Sequence, residues 1–123
     1  MKKVLIVTDQ PDRFSELSLS LEAAQDTGVL WASNGREALE AAAGGNINFA
    51  VVDRNISDMD SFELVRRLIT TDAGIDTAVV SEKSEEEFHE AGEGLGIRFR
   101  LPPLPMARHA RMILDVLKNQ ITI

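Results

Sequence analysis

Four short apolar runs in this sequence are each followed at once by a group with chemical or conformational consequence. Thr8 and Asp9 follow VLIV (4–7), Asp53 follows FAVV (49–52), Ser81 follows TAVV (77–80), and Pro102 follows the weaker run IRFRL (97–101). An acid after a strand is often only a turn former or a helix cap, and Asp9 taken alone is read equally well that way. Asp53 is harder to dismiss, because a carboxylate directly after a buried run is costly unless something binds it. Two carboxylates with a nearby carbonyl meet the needs of a hard divalent ion such as Mg²⁺, which takes one or two carboxylates, carbonyl oxygens and several waters. The fourth position offers no such group: FRLPPLP (99–105) has three prolines in four positions and no reactive side chain there.

These groups converge only if the runs are neighbouring strands of one sheet. The apolar runs alternate with amphipathic segments along the whole chain, a β/α pattern. VLIV, FAVV and TAVV read as strands buried on both faces of a parallel sheet. GVLWAS (28–33) and IRFRL are weaker, and the arginines of the second suggest an edge strand. Phe14, Leu17, Leu21 and Ala24 recur at helical spacing behind Pro11, a residue tolerated in a first turn. NGREALEAAA closes before Gly44 and Gly45, FELVRRLI (62–69) makes a third helix, and Ser84 with Glu87 has capping-box spacing for a fourth. Met106, Ala110, Ile113, Leu114 and Leu117 form the apolar stripe of a fifth. Five β/α units predict a doubly wound sheet whose site lies beyond the carboxyl ends of the strands.

Composition removes several classes. The 123 residues suit one domain, 1–123, and the 44% hydrophobic and 27% charged fractions are those of a globular chain. A net charge of −7, from 13 basic against 20 acidic residues, argues against direct nucleic-acid binding. The absence of cysteine excludes disulfides, thiolate nucleophiles and zinc-cysteine sites and fits a cytoplasmic setting. No apolar stretch approaches the roughly 20 residues of a membrane span, and the start meets Asp9 too soon for a leader sequence.

In order and spacing, VLIVTDQ, ASNGREAL, VVDRNISDMDSFEL and AVVSE resemble the receiver domains of two-component response regulators over essentially the whole chain. The resemblance implies a flavodoxin-like (βα)5 fold with strand order 2-1-3-4-5 and a signalling role in a phosphorelay, not an enzyme. It implies Asp53 as phosphoacceptor, supplied by a histidine kinase or phosphotransfer protein, and a downstream protein target or effector domain. It further implies Mg²⁺ on Asp9, Asp53 and the backbone carbonyl of Asn55, Ser81 on the phosphoryl oxygens, and Phe99 as the aromatic that changes rotamer on activation. Family members often dimerise through helix four, strand five and helix five, which the resemblance suggests here.

Three positions depart from the family pattern. Thr8 stands where one of two adjacent acids is usual, Glu82 replaces a small residue after the strand-four hydroxyl, and the place of the lysine falls to Leu101 or Pro102 by a one-residue choice of register, Pro102 being preferred because it sets Phe99 on the aromatic position and Leu104 on the apolar position that follows. Ser57 and Ser61 also replace a proline and a glycine. Two readings result: a working receiver with a weakened site, its missing cation replaced by Arg54, Arg98 or Arg100, or a degenerate receiver that binds proteins independently of phosphorylation. Flavin binding is disfavoured because TDQPDR presents acids where a phosphate cradle is needed. An aspartate-type phosphatase is disfavoured by Asn55, where a second acid would stand.

The remaining features read as structural. GEGLG (92–96) precedes a strand and serves as a turn, and PxxP at Pro102 and Pro105 is a fixed bend whose Pro-Pro bond can be cis. His89 and His109 are expected on solvated faces, and Trp31 in the core, the alternative being partial exposure on the strand-two side where it would mark a contact.

Overall fold

A computed structural model describes residues 1–120 of the chain. Five strands, β1 (Lys2–Val7), β2 (Thr27–Ala32), β3 (Phe49–Val52), β4 (Asp76–Val80) and β5 (Phe99–Leu101), form one parallel sheet in the order β2-β1-β3-β4-β5. The helices are α1 (Ser15–Glu22), α2 (Gly35–Ala43), α3 (Ser61–Thr71), α4 (Glu85–Ala91) and α5 (Ala107–Asn119), with a 3-10 turn, Pro11–Phe14, ahead of α1.

Alternate residues of the central strands feed two core layers. Leu5, Val7, Ala50, Val52 and Val79 face Ala38, Leu64, Leu68 and Phe88 of α2, α3 and α4. Val4, Ile6, Val51, Ala78 and Val80 face Leu17 and Leu21 of α1 and Ala110, Ile113 and Leu117 of α5. Each fully buried Leu or Ile contributes roughly 1.5–3 kcal/mol relative to exposure, which commits the strands to this register. β1 and β3 therefore lie side by side at the centre and deliver Thr8 and Asp53 to adjacent positions on the same rim, where the amide of Asp53 bonds the carbonyl of Val7 at 2.9 Å.

The helix starts follow the capping chemistry in the sequence. Asn34 caps α2 by accepting from the amide of Glu37, Asp60 caps α3, and Ser84 and Glu87 form the expected capping box on α4. Gly92 ends α4, and Gly94 and Gly96 take φ of +78° and +66°, a conformation that favours glycine.

Several expectations are corrected. Trp31 is 44% exposed because β2 is an edge strand, and Leu104 is 62% exposed instead of filling an apolar position. His109 is only 6% exposed: its Nδ1 accepts from the amide of Met106 and closes the start of α5, so the ring is turned inward. No cis peptide occurs among the described residues, so Pro102 and Pro103 are joined in trans.

Candidate functional site

Asp53, 1% exposed, sits one residue beyond the buried run of β3. Its Oδ2 accepts from the hydroxyl of Thr8 at 2.7 Å and from the guanidinium of Arg13, while Oδ1 accepts from the amide of Arg54 at 2.8 Å. The desolvation penalty of this carboxylate is thus met by three protein donors, one of them charged. Thr8 is itself fixed, since its Oγ1 also accepts from the amide of Gln10 at 3.0 Å.

Arg13 is the residue that sequence reasoning missed. It stands on the 3-10 turn opened by Pro11, and its guanidinium carbon lies 5.1 Å from the centroid of the Phe14 ring. One terminal nitrogen reaches Asp53, the other donates to the carbonyl of Pro103, and Nε donates to Gln10 at 2.8 Å. A planar fork can serve these three directions at once, which a lysine ammonium on a flexible stem does less well. The proline-rich turn after β5 therefore does take part in the site: it supplies a backbone oxygen that anchors a cation arriving from the β1–α1 segment. The available signal was the loss of a cation at Pro102, which should direct attention to every arginine near a strand end, including the one in QPDRF.

The three arginines expected to replace that cation are committed elsewhere. Arg54 pairs with Glu82, Arg98 pairs with Asp76 at 2.8 Å, and Arg100 donates to the carbonyl of Lys83 at 2.8 Å while lying over the ring of Phe88. The Arg54–Glu82 pair lines a cavity of about 210 Å³ with Asn55 and Ser81. Ser81 Oγ accepts from the amide of Lys83 at 3.1 Å, a local turn. Asn55 is exposed on the loop after Asp53. That loop is tied down by Asp58, which accepts from the amides of Gly35 and Arg36 at 2.8 and 3.0 Å. The amide of Gly35, then that of Arg36, holds the carboxyl of Asp58 below its ordinary range.

Phe99 is half-buried at the start of β5. Strand parity turns it to the α1/α5 layer, where its ring lies 6.0 Å from that of Phe49, and the β5 side chain over α4 is Arg100. Asp9 is exposed and lines a separate cavity with Trp31 and Glu37.

These donors do not fit the Mg²⁺ expected at Asp9, Asp53 and Asn55. Oδ2 of Asp53 already carries a guanidinium and a hydroxyl and only Oδ1 has room for a further partner, while Asp9 and Asn55 line different cavities, so the three expected ligands are not gathered about one point. Among the described residues no group of three or more His, Asp or Glu could hold a metal ion.

The fold is shared widely. A response regulator receiver domain protein (CheY-like) from Methanospirillum hungatei JF-1 superposes with a TM-score of 0.84 at 21% identity, covering 98% of this chain and 96% of that one. A two-component response regulator from Clostridium difficile gives a TM-score of 0.84 at 17% identity, over 99% and 100% of the two chains. The chemotaxis response regulator CheY4 of Vibrio cholerae gives 0.79 at 24% identity, over 95% and 98%. No curated protein sequence matches the chain. Residues 4–100 match the family model described as response regulator receiver domain, and with the order β2-β1-β3-β4-β5 carrying an aspartate at the mouth of its central strand, the chain belongs to that family.

Proposed function

We propose that this receiver domain acts in two-component signalling as a protein-interaction module whose resting site is closed without metal or phosphoryl group. The observation that carries the reading is Arg13, which bridges the carboxylate of Asp53 and the carbonyl of Pro103. In the family the aspartate at this position accepts a phosphoryl group beside Mg²⁺, and the domain interacts with histidine kinases and downstream effectors. Here the carboxylate already has its counter-charge, and the link from the β3 end to the segment after β5 is already made. Glu82, paired with Arg54, adds negative charge beside Ser81, where an incoming phosphoryl donor is also negative. The partners on this reading are a downstream protein target and, in the cytoplasm, the signalling chain that presents it.

A second reading is a working receiver in which Asp53 takes a phosphoryl group and Arg13 serves as the missing cation. It is favoured by Oδ1, which has a single donor, and by the hydroxyl of Ser81 in the adjoining cavity. Incubation with Mg²⁺ and acetyl phosphate, followed by intact mass, separates the two. The first reading expects no phosphoryl adduct on the native chain and no beryllofluoride binding. Rapid, near-stoichiometric phosphorylation that disappears in Asp53→Ala would establish the second and remove the first.

A further inference from the structure

The two edges of the sheet are treated differently. β5 is three residues long, is flanked and interrupted by Arg98 and Arg100, and ends directly at Pro102. Short length, charge and proline are the devices that keep an edge from pairing with another chain. β2 has none of them. It is six residues long, TGVLWA, with no charged residue and no proline, and it pairs only with β1. Among the described residues the backbone of 28–31 makes no further backbone hydrogen bond outside that ladder. Leu30 and Trp31, on opposite faces of the strand, are 38% and 44% exposed.

The carboxyl end of this edge opens onto a cavity of about 400 Å³ whose lining includes Pro11, Trp31, Asp9 and Glu37. Asp9 has no ion-pair partner among the described residues. Glu37 uses Oε1 to accept from the amide and hydroxyl of Ser33, which leaves its other oxygen without a bonded neighbour in the same set of contacts. An indole face beside carboxylates is a receptor for an ammonium or guanidinium group. The opposite end of the strand is also acidic, with Asp26 immediately before Thr27 and exposed.

From this we infer that the β2 edge is a docking site for an extended, basic segment of a partner protein, which adds a strand beside β2 and seats a lysine or arginine between Trp31, Asp9 and Glu37. Main-chain bonds to the free edge supply affinity in such strand addition, and side-chain pockets supply selectivity. A second copy of this chain is the poorer occupant. Pairing β2 with itself about a two-fold axis runs the strands antiparallel and sets Asp26 of one copy near Asp9 and Glu37 of the other, a like-charge arrangement. The inference does not depend on whether Asp53 accepts a phosphoryl group.

Trp31 is the sole tryptophan, so its emission reports the site directly. The probe is a capped peptide of alternating threonine and valine flanked by lysines, titrated against the same peptide flanked by glutamates. The lysine peptide is expected to shift Trp31 emission to the blue, saturably, and to bind about tenfold more tightly than its acidic counterpart. Leu30→Lys, a substitution at a partly exposed position, is expected to abolish binding with thermal unfolding unchanged. Asp9→Asn is expected to reduce the preference for lysine while leaving strand binding in place. No emission shift, equal binding of both peptides, or a Leu30→Lys variant that still binds would overturn the inference. So would a concentration-dependent dimer by light scattering that Leu30→Lys dissolves, which would assign the edge to a second copy.

Discussion

Replacing Arg13 with alanine leaves Asp53 buried with Thr8 and the Arg54 amide but without its counter-charge. Removing one partner of a buried ion pair costs about 3–5 kcal/mol. The side chain of Arg13 is 20% exposed and Asp53 keeps two donors, which places the loss near the lower end, about 3 kcal/mol. For a domain of this size roughly 3–5 °C accompanies each kcal/mol, so the melting temperature should fall by about 10 °C. The same change takes the guanidinium off Oδ2, which keeps the Thr8 hydroxyl, and leaves room there for a cation. Mg²⁺ at about 100 times its dissociation constant would then return about 2.7 kcal/mol, nearly the whole loss, while the native protein should gain almost nothing. Thermal and urea unfolding of native, Arg13→Ala and Arg13→Met chains, each with EDTA and with Mg²⁺, test this. The methionine variant keeps an unbranched apolar side chain of similar reach at position 13 while removing the guanidinium that lies over Phe14 and bonds Asp53. An Arg13→Ala protein as stable as the native one, or a native protein stabilised by Mg²⁺ as much as the variant, would refute the idea that Arg13 holds the site closed.

Two pH dependences follow from the geometry. Burial, then the neighbouring charge of Arg108, lowers the pKa of His109 from 6.5, and the bond from Met106 to Nδ1 requires a neutral ring. The unfolded chain then binds the extra proton first, so this contribution is complete above about pH 6.5 and declines as pH falls toward the lowered folded value. Urea unfolding at pH 7.5 and 5.5 should show it, and His109→Asn, whose Oδ1 can take over the acceptor role, should remove it. Asp58, Glu37 and Glu87 are held below the ordinary carboxylate range, chiefly by the Gly35 amide, the Ser33 amide and the Ser84 hydroxyl respectively. What they contribute is present above the ordinary range and is lost as pH falls through their lowered values, so acid should fray α2 and α4 before the rest. Far-UV circular dichroism and amide exchange during an acid titration read that order, and uniform loss of all helices would contradict it.

The outcome at particular residues shows which inferences a sequence supports. FAVV was readable as a strand to the residue, because a four-residue run buried on both faces has only one use in a β/α chain. Ser84 and Glu87 were readable because a capping box is closed by groups three residues apart. Asp53 was readable because its carboxylate adjoins a strand whose direction was already known. The family pattern names Phe99 by its place in β5, whereas strand parity decides which layer its ring enters. His109 was misjudged because its partner is the amide of Met106, and a histidine's acceptor role depends on which way the ring turns. Trp31 is 44% exposed instead of buried in the core, although the expected order already set β2 at the edge, because the packing around a single side chain is not written in the order of the strands.

The order of apolar runs, their lengths and the caps between them determined the fold and the positions of Thr8, Asp53 and Ser81 at strand ends, because those choices rest on local conformation and on periodic burial. The counter-charge of Asp53 was decided only in three dimensions. Arg13 lies 40 residues from Asp53 and 90 from Pro103 along the chain, and nothing in the spacing of those three residues records that they meet. A guanidinium on a long side chain finds its partners through the packing of the segment that carries it. Here that segment is a single turn pinned by Pro11 and Phe14 above the carboxyl ends of the strands.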